Sequence, residues 1–133
     1  MFQDAVNLGA DTTLTGTTSV TFYGPVTGNG HDLTINSPST TLGDDPLDAI
    51  TGIGTLTTDA AGTTTINTAT ISGDVLMFRD AVILGADTTL TGTTSVAFYG
   101  PVTGNGHDLT INSPSTTLGE LIVRSWPLPV TGP

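Results

Sequence analysis

The sequence predicts an all-β chain, folded as a parallel β-solenoid of about five coils of about 25 residues. It contains 29 Thr, 17 Gly and 8 Pro, which are typical of strands and turns. Only four residues are Lys, Arg, Glu or Gln, so helices are not expected. Hydrophobic residues make up 36% of the chain, more than a disordered segment of this type carries.

A long internal repeat organises the chain. Residues 2–43 recur at 78–119, a shift of 76, and only three of the 42 positions differ. The three differences are Gln3/Arg79, Asn7/Ile83 and Thr21/Ala97. We therefore expect a single repeat domain over 1–133, with a first unit at 2–77. The second unit, 78–133, is incomplete and has a divergent end at 120–133.

A shorter repeat emerges when five leucines are aligned at spacings of 25, 23, 28 and 25. If each coil stacks on the one before, like residues form columns along the solenoid. The leucines are predicted to form one buried column: Leu8, Leu33, Leu56, Leu84 and Leu109. Three positions later comes a turn column whose side chains should bond backbone N–H groups: Asp11, Asn36, Asp59, Asp87 and Asn112. Seven positions after each leucine comes a threonine ladder: Thr15, Thr40, Thr63, Thr91 and Thr116.

The competing fold is an antiparallel sandwich of repeated hairpins. Gly28-Asn29-Gly30 and Gly104-Asn105-Gly106 are strong hairpin signals. A sandwich, however, has no reason to keep the same residue type at such regular spacing, so the solenoid is favoured.

The charge excludes several classes of partner. The chain has a net charge of −10, two arginines and no lysine, so binding to nucleic acid or to an anionic membrane surface is not expected. Cysteine is absent, which excludes disulfides and thiolate metal sites. No apolar run reaches the length of a transmembrane helix, so no membrane insertion is expected.

Candidate catalytic and metal sites are few. His31-Asp32 and His107-Asp108 place each histidine beside an acid, but neighbours on a strand point to opposite faces, so that Asp is badly placed to orient its His. The acidic cluster Asp44-Asp45-Pro46-Leu47-Asp48 offers a weak calcium site or a solvated loop, and it does not recur in the second copy. We predict no enzyme, no cofactor and no dedicated metal site.

Two further motifs suggest surface functions. A regular outward threonine array is similar to those of ice-binding proteins, although Thr13/Thr15 and Thr89/Thr91 alternate with less regular coils. The segment 128–132, LPVTG, looks like a cell-wall sorting signal of Gram-positive surface proteins; the other reading is an ordinary proline-rich end.

Three phrases carry a family resemblance: LGADTTLTGTTSVTFYGPVTGNGHDLTIN at 8–36, TTDAAGTTTINTATISG at 57–73, and the copy of the first at 84–112. They resemble the tandem repeats of large secreted bacterial surface proteins, the filamentous-haemagglutinin-like and autotransporter-like adhesins. The resemblance implies a β-solenoid stalk outside the bacterial cell.

Two functions therefore stand. One is a structural fibre or stalk module that assembles head-to-tail with copies of itself, since the first coil is ordinary repeat sequence that should accept another coil. The other is an adhesin-type module for a glycan or a surface partner. Tyr23, Tyr99 and Trp126 are the candidate aromatic platforms for a sugar, and their small number favours the structural function.

Overall fold

The computed structural model describes residues 1–118, which form fourteen β-strands and no α-helix. The divergent end at 120–133, with Trp126 and the LPVTG motif, lies outside the described residues. All strand pairs within 1–118 are parallel. In chain order the strands are β1 (Val6–Asn7), β2 (Thr12–Thr15), β3 (Val20–Phe22), β4 (Val26–Thr27), β5 (Leu33–Asn36), β6 (Ser39–Leu42), β7 (Ile50–Thr58), β8 (Thr63–Ile66), β9 (Thr70–Phe78), β10 (Ala81–Leu84), β11 (Thr88–Phe98), β12 (Val102–Thr103), β13 (Leu109–Asn112) and β14 (Thr116–Leu118).

The strands form three ladders, which we call faces 1, 2 and 3. Face 1 contains β3, β6, β8, β10 and β12. Face 2 contains β1, β4 and β13 together with the first parts of the long strands β7, β9 and β11. Face 3 contains β2, β5 and β14 together with the second parts of those long strands. The predicted parallel β-solenoid is confirmed, with about six turns rather than five.

The turn is shorter than the sequence predicted. On face 2 one column runs through Val6, Val26, Ile50, Ile71, Leu90 and Ile111. Five turns separate its two ends, so one turn averages about 21 residues, at the short end of the range for solenoid repeats. Individual turns vary, with a short step from Ile66 to Leu84 and a long one from Val26 to Ile50, because the loops between faces differ in length.

The single leucine column is wrong, although all five leucines are buried. Leu33 pairs with Leu56 on face 3, whereas Leu84 pairs with Ile66 on face 1 and Leu109 pairs with Thr88 on face 2. Leu8 follows β1 and donates its N–H to the Thr27 carbonyl. Every face needs inward apolar residues, so leucines at similar sequence spacing fill different columns.

The predicted turn column and threonine ladder are wrong for the same reason. Of the first set, Asn36 pairs with Thr15 and Asn112 with Thr91. Asp59 continues β7 beside Asn36, since its N–H donates to the Ile35 carbonyl. Of the threonines, Thr40 is buried between Val20 and Thr64, Thr63 lies between Ser39 and Ala81, and Thr116 pairs with Val96.

The two copies of the repeat occupy different faces. The phrase that pairs Val6 with Val26 on face 2 pairs Val82 with Val102 on face 1. Likewise the pair Val20/Thr40 on face 1 recurs as Val96/Thr116 on face 3. The shift of 76 between the copies is about three and two-thirds turns rather than a whole number of them. Each strand of the second copy therefore lies one face earlier around the solenoid than its counterpart in the first copy.

The hairpin alternative is wrong, because its turns connect parallel ladders. Asn29 and Asn105 adopt left-handed φ angles of 54° and 52°. Each side chain donates across to the preceding turn, Asn29 to the Leu8 carbonyl at 3.0 Å and Asn105 to the Leu84 carbonyl at 3.2 Å. The same chemistry that closes a hairpin here turns a corner of the solenoid.

The core is a stack of inward apolar side chains along the axis. Phe2 stacks on Phe22 with ring centroids 5.0 Å apart, and Phe78 stacks on Phe98 at 5.2 Å. Leu56, fully buried, lies between Leu33 and Leu76. In the part of the chain that the structure describes, no helix could cross a membrane.

We predict that Leu56→Asp unfolds the central turns, because it puts an unpaired charge into the stack of leucines. The expected loss is more than about 3 kcal/mol of unfolding free energy, measured by urea denaturation. The matched control is Thr57→Asp, one residue further along β7, where the side chain is half-buried between Thr34 and Met77. Equal losses in the two variants would contradict the assigned inward face.

Candidate functional site

The two histidines pair with acids from the preceding turn. His31 Nδ1 lies 3.5 Å from Asp11 Oδ1, and His107 Nδ1 lies 3.4 Å from Asp87 Oδ1. The acids that follow them in sequence, Asp32 and Asp108, instead donate their backbone N–H to Asp11 and Asp87. This bond, and then the interaction with His107, lowers the pKa of Asp87. The arrangement ties one turn to the next.

The expectation that acidic side chains of the turn set bond backbone N–H groups holds for Asp11 and Asp87. Both accept from the following turn rather than from their own. Asp32 extends the series, since its Oδ1 accepts the Thr55 N–H at 2.8 Å. These carboxylates satisfy backbone donors at a corner where the ladder bonds are interrupted.

The acidic loop at 44–48 is held by its own carboxylates. Asp48 accepts the Asp44 N–H at 3.2 Å, and Asp45 accepts the Leu47 N–H at 2.9 Å. A hydrogen bond to the Asp48 side chain, then burial and repulsion from that carboxylate, raises the pKa of Asp44. Within residues 1–118 no three His, Cys, Asp or Glu side chains are placed to hold a metal ion.

A buried carboxylate that the sequence did not single out lies at the corner between faces 3 and 1. Asp80 is 2% exposed, and its Oδ1 accepts the Thr58 hydroxyl at 2.8 Å. The Thr64 hydroxyl lies 3.1 Å from Oδ1 and 2.8 Å from Oδ2. Burial raises the pKa of Asp80, while these hydroxyl bonds oppose the rise.

Two oxygens near this buried carboxylate lack hydrogen-bond partners among the described residues: Thr40 Oγ1 and Asp59 Oδ1. Thr40 is the ladder neighbour of Thr64, and Asp59 follows Thr58. The negative charge of Asp59 also raises the pKa of Asp80. The corner is therefore a buried polar site beside a second acid, and both its burial and that neighbouring charge disfavour an ionised Asp80.

Two equivalent surface clefts lie where each copy begins. The first is lined by Gln3, Tyr23 and Asp44 and has a volume of about 340 Å³. The second is lined by Arg79, Tyr99, Ala60 and Met77 and has a volume of about 410 Å³. Tyr99, an aromatic platform that the sequence proposed, is 51% exposed in this second cleft.

Arg79 and Asp80 were not among the predicted site residues, although the sequence contained a signal for each. Arg79 stands at one of the three differences between the copies, opposite Gln3. Asp80 is the copy of Asp4, and the two differ in burial because a turn lies before Asp80. The Gln3/Arg79 difference between the copies is visible in the sequence. The burial of Asp80 could be predicted only with the correct strand register.

Comparisons with protein-family models, with curated proteins and with solved structures find no match.

We predict that Asp80→Asn raises the melting temperature at pH 7. The amide oxygen can accept both threonine hydroxyls, and its nitrogen can donate to the Thr64 oxygen, so the bonds are kept without the charge. Because the folded-state pKa of Asp80 is raised, ionisation costs stability as pH rises above about 4. The advantage of the variant should therefore shrink as pH falls towards 3, in thermal melts across that range.

The matched control is Asp74→Asn, which removes the same charge from an exposed residue that accepts the Thr93 hydroxyl at 2.7 Å. It should change the melting temperature little at any pH. An Asp80→Asn protein that is less stable than the wild type at pH 7, with a deficit that shrinks towards pH 3, would show that the ionised carboxylate stabilises the corner and would contradict this account of Asp80.

Proposed function

We propose that the chain is a structural module of an extracellular bacterial fibre or stalk, in which copies stack head-to-tail along the solenoid axis. The observation that carries this proposal is the internal copy of the first turn. Residues 2–22 and 78–98 are nearly identical, and the second segment lies between two turns of the same chain. The first segment has a turn on only one side within the described residues.

Apolar side chains of the first turn are less buried than their counterparts in the second copy. Phe78, Val82 and Leu90 are 0%, 1% and 0% exposed, whereas their copies Phe2, Val6 and Leu14 are only partly buried. The same side chains thus become fully buried when another turn stacks on them. Covering this apolar surface supplies the driving force for assembly.

The last described turn offers the complementary end. Leu118, which pairs with Phe98, is 38% exposed, whereas its copy Leu42 is fully buried under the next turn. The two ends expose different residues, so the contact is head-to-tail, and such contacts produce open filaments when the rotation does not close. Within residues 1–118, the first and last turns also each have strand groups that pair on one side only, and a neighbouring turn could satisfy the others.

Charge opposes this association at low ionic strength. Each chain carries a net charge of −10, so two chains repel each other within a screening length of about 10 Å at 0.1 M salt. Added salt or divalent cations should therefore promote assembly. The bacterial surface location comes from the resemblance of the repeat phrases.

A binding module is the second candidate, favoured by the cleft with exposed Tyr99. The ice-binding function has less support. On face 1 the outward series Thr41 and Thr65 continues into Ile83, which interrupts a threonine array.

We predict that the purified chain forms larger species as sodium chloride is raised, and that Val6→Asp prevents this. Val6 lies on Val26 in the exposed end turn, so a carboxylate there would be buried by an incoming copy. Sedimentation velocity across a salt series measures the effect. The control is Asn7→Asp, which adds the same charge at an exposed neighbour and should leave assembly intact.

Circular dichroism would establish that both variants keep the solenoid. A wild-type chain that stays monomeric at high concentration and high salt would overturn the proposed assembly. Equal assembly by the wild type and Val6→Asp would instead move the contact away from the first turn.

A further inference from the structure

The second cleft places a cation beside an aromatic ring. Tyr99 donates its N–H to the Phe78 carbonyl at 2.9 Å, so Tyr99 lies next to Arg79 on the following turn. Both side chains are exposed and line the cleft, whose other walls are Ala60 and Met77. Its volume of about 410 Å³ lies within the range of small-molecule sites.

The Arg79 guanidinium makes no ion pair among the described residues, although the chain contains 12 acidic residues. Its backbone is fixed, since its N–H donates to Thr58 Oγ1 at 3.0 Å and that hydroxyl donates to buried Asp80. The cleft therefore presents a positive charge that has no ion-pair partner within residues 1–118, on a backbone held by a hydrogen bond to the neighbouring turn.

The first copy provides an internal comparison. Tyr23 donates its N–H to the Phe2 carbonyl at 2.8 Å, so Gln3 lies beside Tyr23 as Arg79 lies beside Tyr99. That cleft has an amide where the second has a guanidinium, and it is lined by Asp44 rather than by Ala60 and Met77. The same frame is thus suited to an anion in one copy only.

We propose that the Arg79–Tyr99 cleft binds an acidic sugar through its carboxylate. A guanidinium pairs with a carboxylate through two parallel hydrogen bonds, and a tyrosine ring offers an apolar face for the C–H groups of a sugar ring. A ligand with a single carboxylate is favoured over a polyanion, because the net charge of −10 repels extended negative charge. This binding function is independent of end-to-end assembly.

The test is an NMR titration of the full chain at low salt with methyl glucuronide. Methyl glucoside, which lacks the carboxylate, is the control ligand. We expect methyl glucuronide to shift the Arg79 and Tyr99 signals, with much smaller shifts at Gln3 and Tyr23. Arg79→Gln, which installs the residue of the first copy, should weaken binding at least about tenfold. Arg79→Lys keeps the charge without the paired geometry and should bind with intermediate affinity.

Equal binding of the two sugars, an unchanged affinity in Arg79→Gln, or no shifts at Arg79 and Tyr99 would each overturn the proposal. A further result would also overturn it. If the wild-type chain self-associates, Arg79→Gln abolishes this association and methyl glucuronide does not compete with it, then the cleft binds the acidic loop 44–48 of another molecule rather than a sugar. If Arg79→Gln still stacks end to end as salt is raised, the loss of sugar binding in that variant is not caused by a loss of the proposed fibre assembly.

Discussion

The parallel ladder of backbone hydrogen bonds between successive turns is the constraint on which the rest of the structure depends. Strands in such a ladder lie about 4.8 Å apart, so each residue sits directly on its counterpart in the preceding turn. Where the backbones approach closely, only glycine fits: a Cβ at Gly28 would lie 2.5 Å from the Gly52 carbonyl oxygen. At corners where the ladder is interrupted, carboxylates such as Asp11 and Asp32 accept the remaining N–H groups. Within residues 1–118 the ladder also has a first and a last turn that are paired on one side only, and these turns motivate the proposed assembly.

The same repeat sequence can form strands on any of the three faces. Because each face needs inward apolar residues and outward polar ones, the duplicated phrase folds with the same local pairing on whichever face it falls. The duplication therefore did not have to match a whole number of turns. Its consequence is that copied residues have different surroundings: Asp4 is exposed while Asp80 is buried. The Gln3/Arg79 difference in addition changes the charge of one cleft.

The all-β class, the parallel stacking and the burial of the leucines could be predicted from the sequence, because composition and repetition report directly on strands and stacking. The register could not. Leu33 stacks on Leu56, but Leu84 stacks on Ile66. Any inward apolar residue can occupy any column, and loop lengths vary from turn to turn, so the leucine spacing does not determine the pairing. The His31–Asp11 contact likewise joins residues from two turns. The burial of Asp80 depends on Thr58 and Thr64, which only the correct register brings to it.

NMR couplings across hydrogen bonds would reveal whether turns of unequal length stack in three parallel ladders. We expect couplings from the Gly85 N–H to the Ile66 carbonyl, from the Tyr99 N–H to the Phe78 carbonyl and from the Asp59 N–H to the Ile35 carbonyl. The nitrogen and oxygen atoms of these pairs are 2.8, 2.9 and 3.0 Å apart. The sequence separation differs in each of these three pairs, as unequal loops require. Couplings at one constant sequence spacing along the chain, or between antiparallel neighbours, would rule out this stacking of unequal turns.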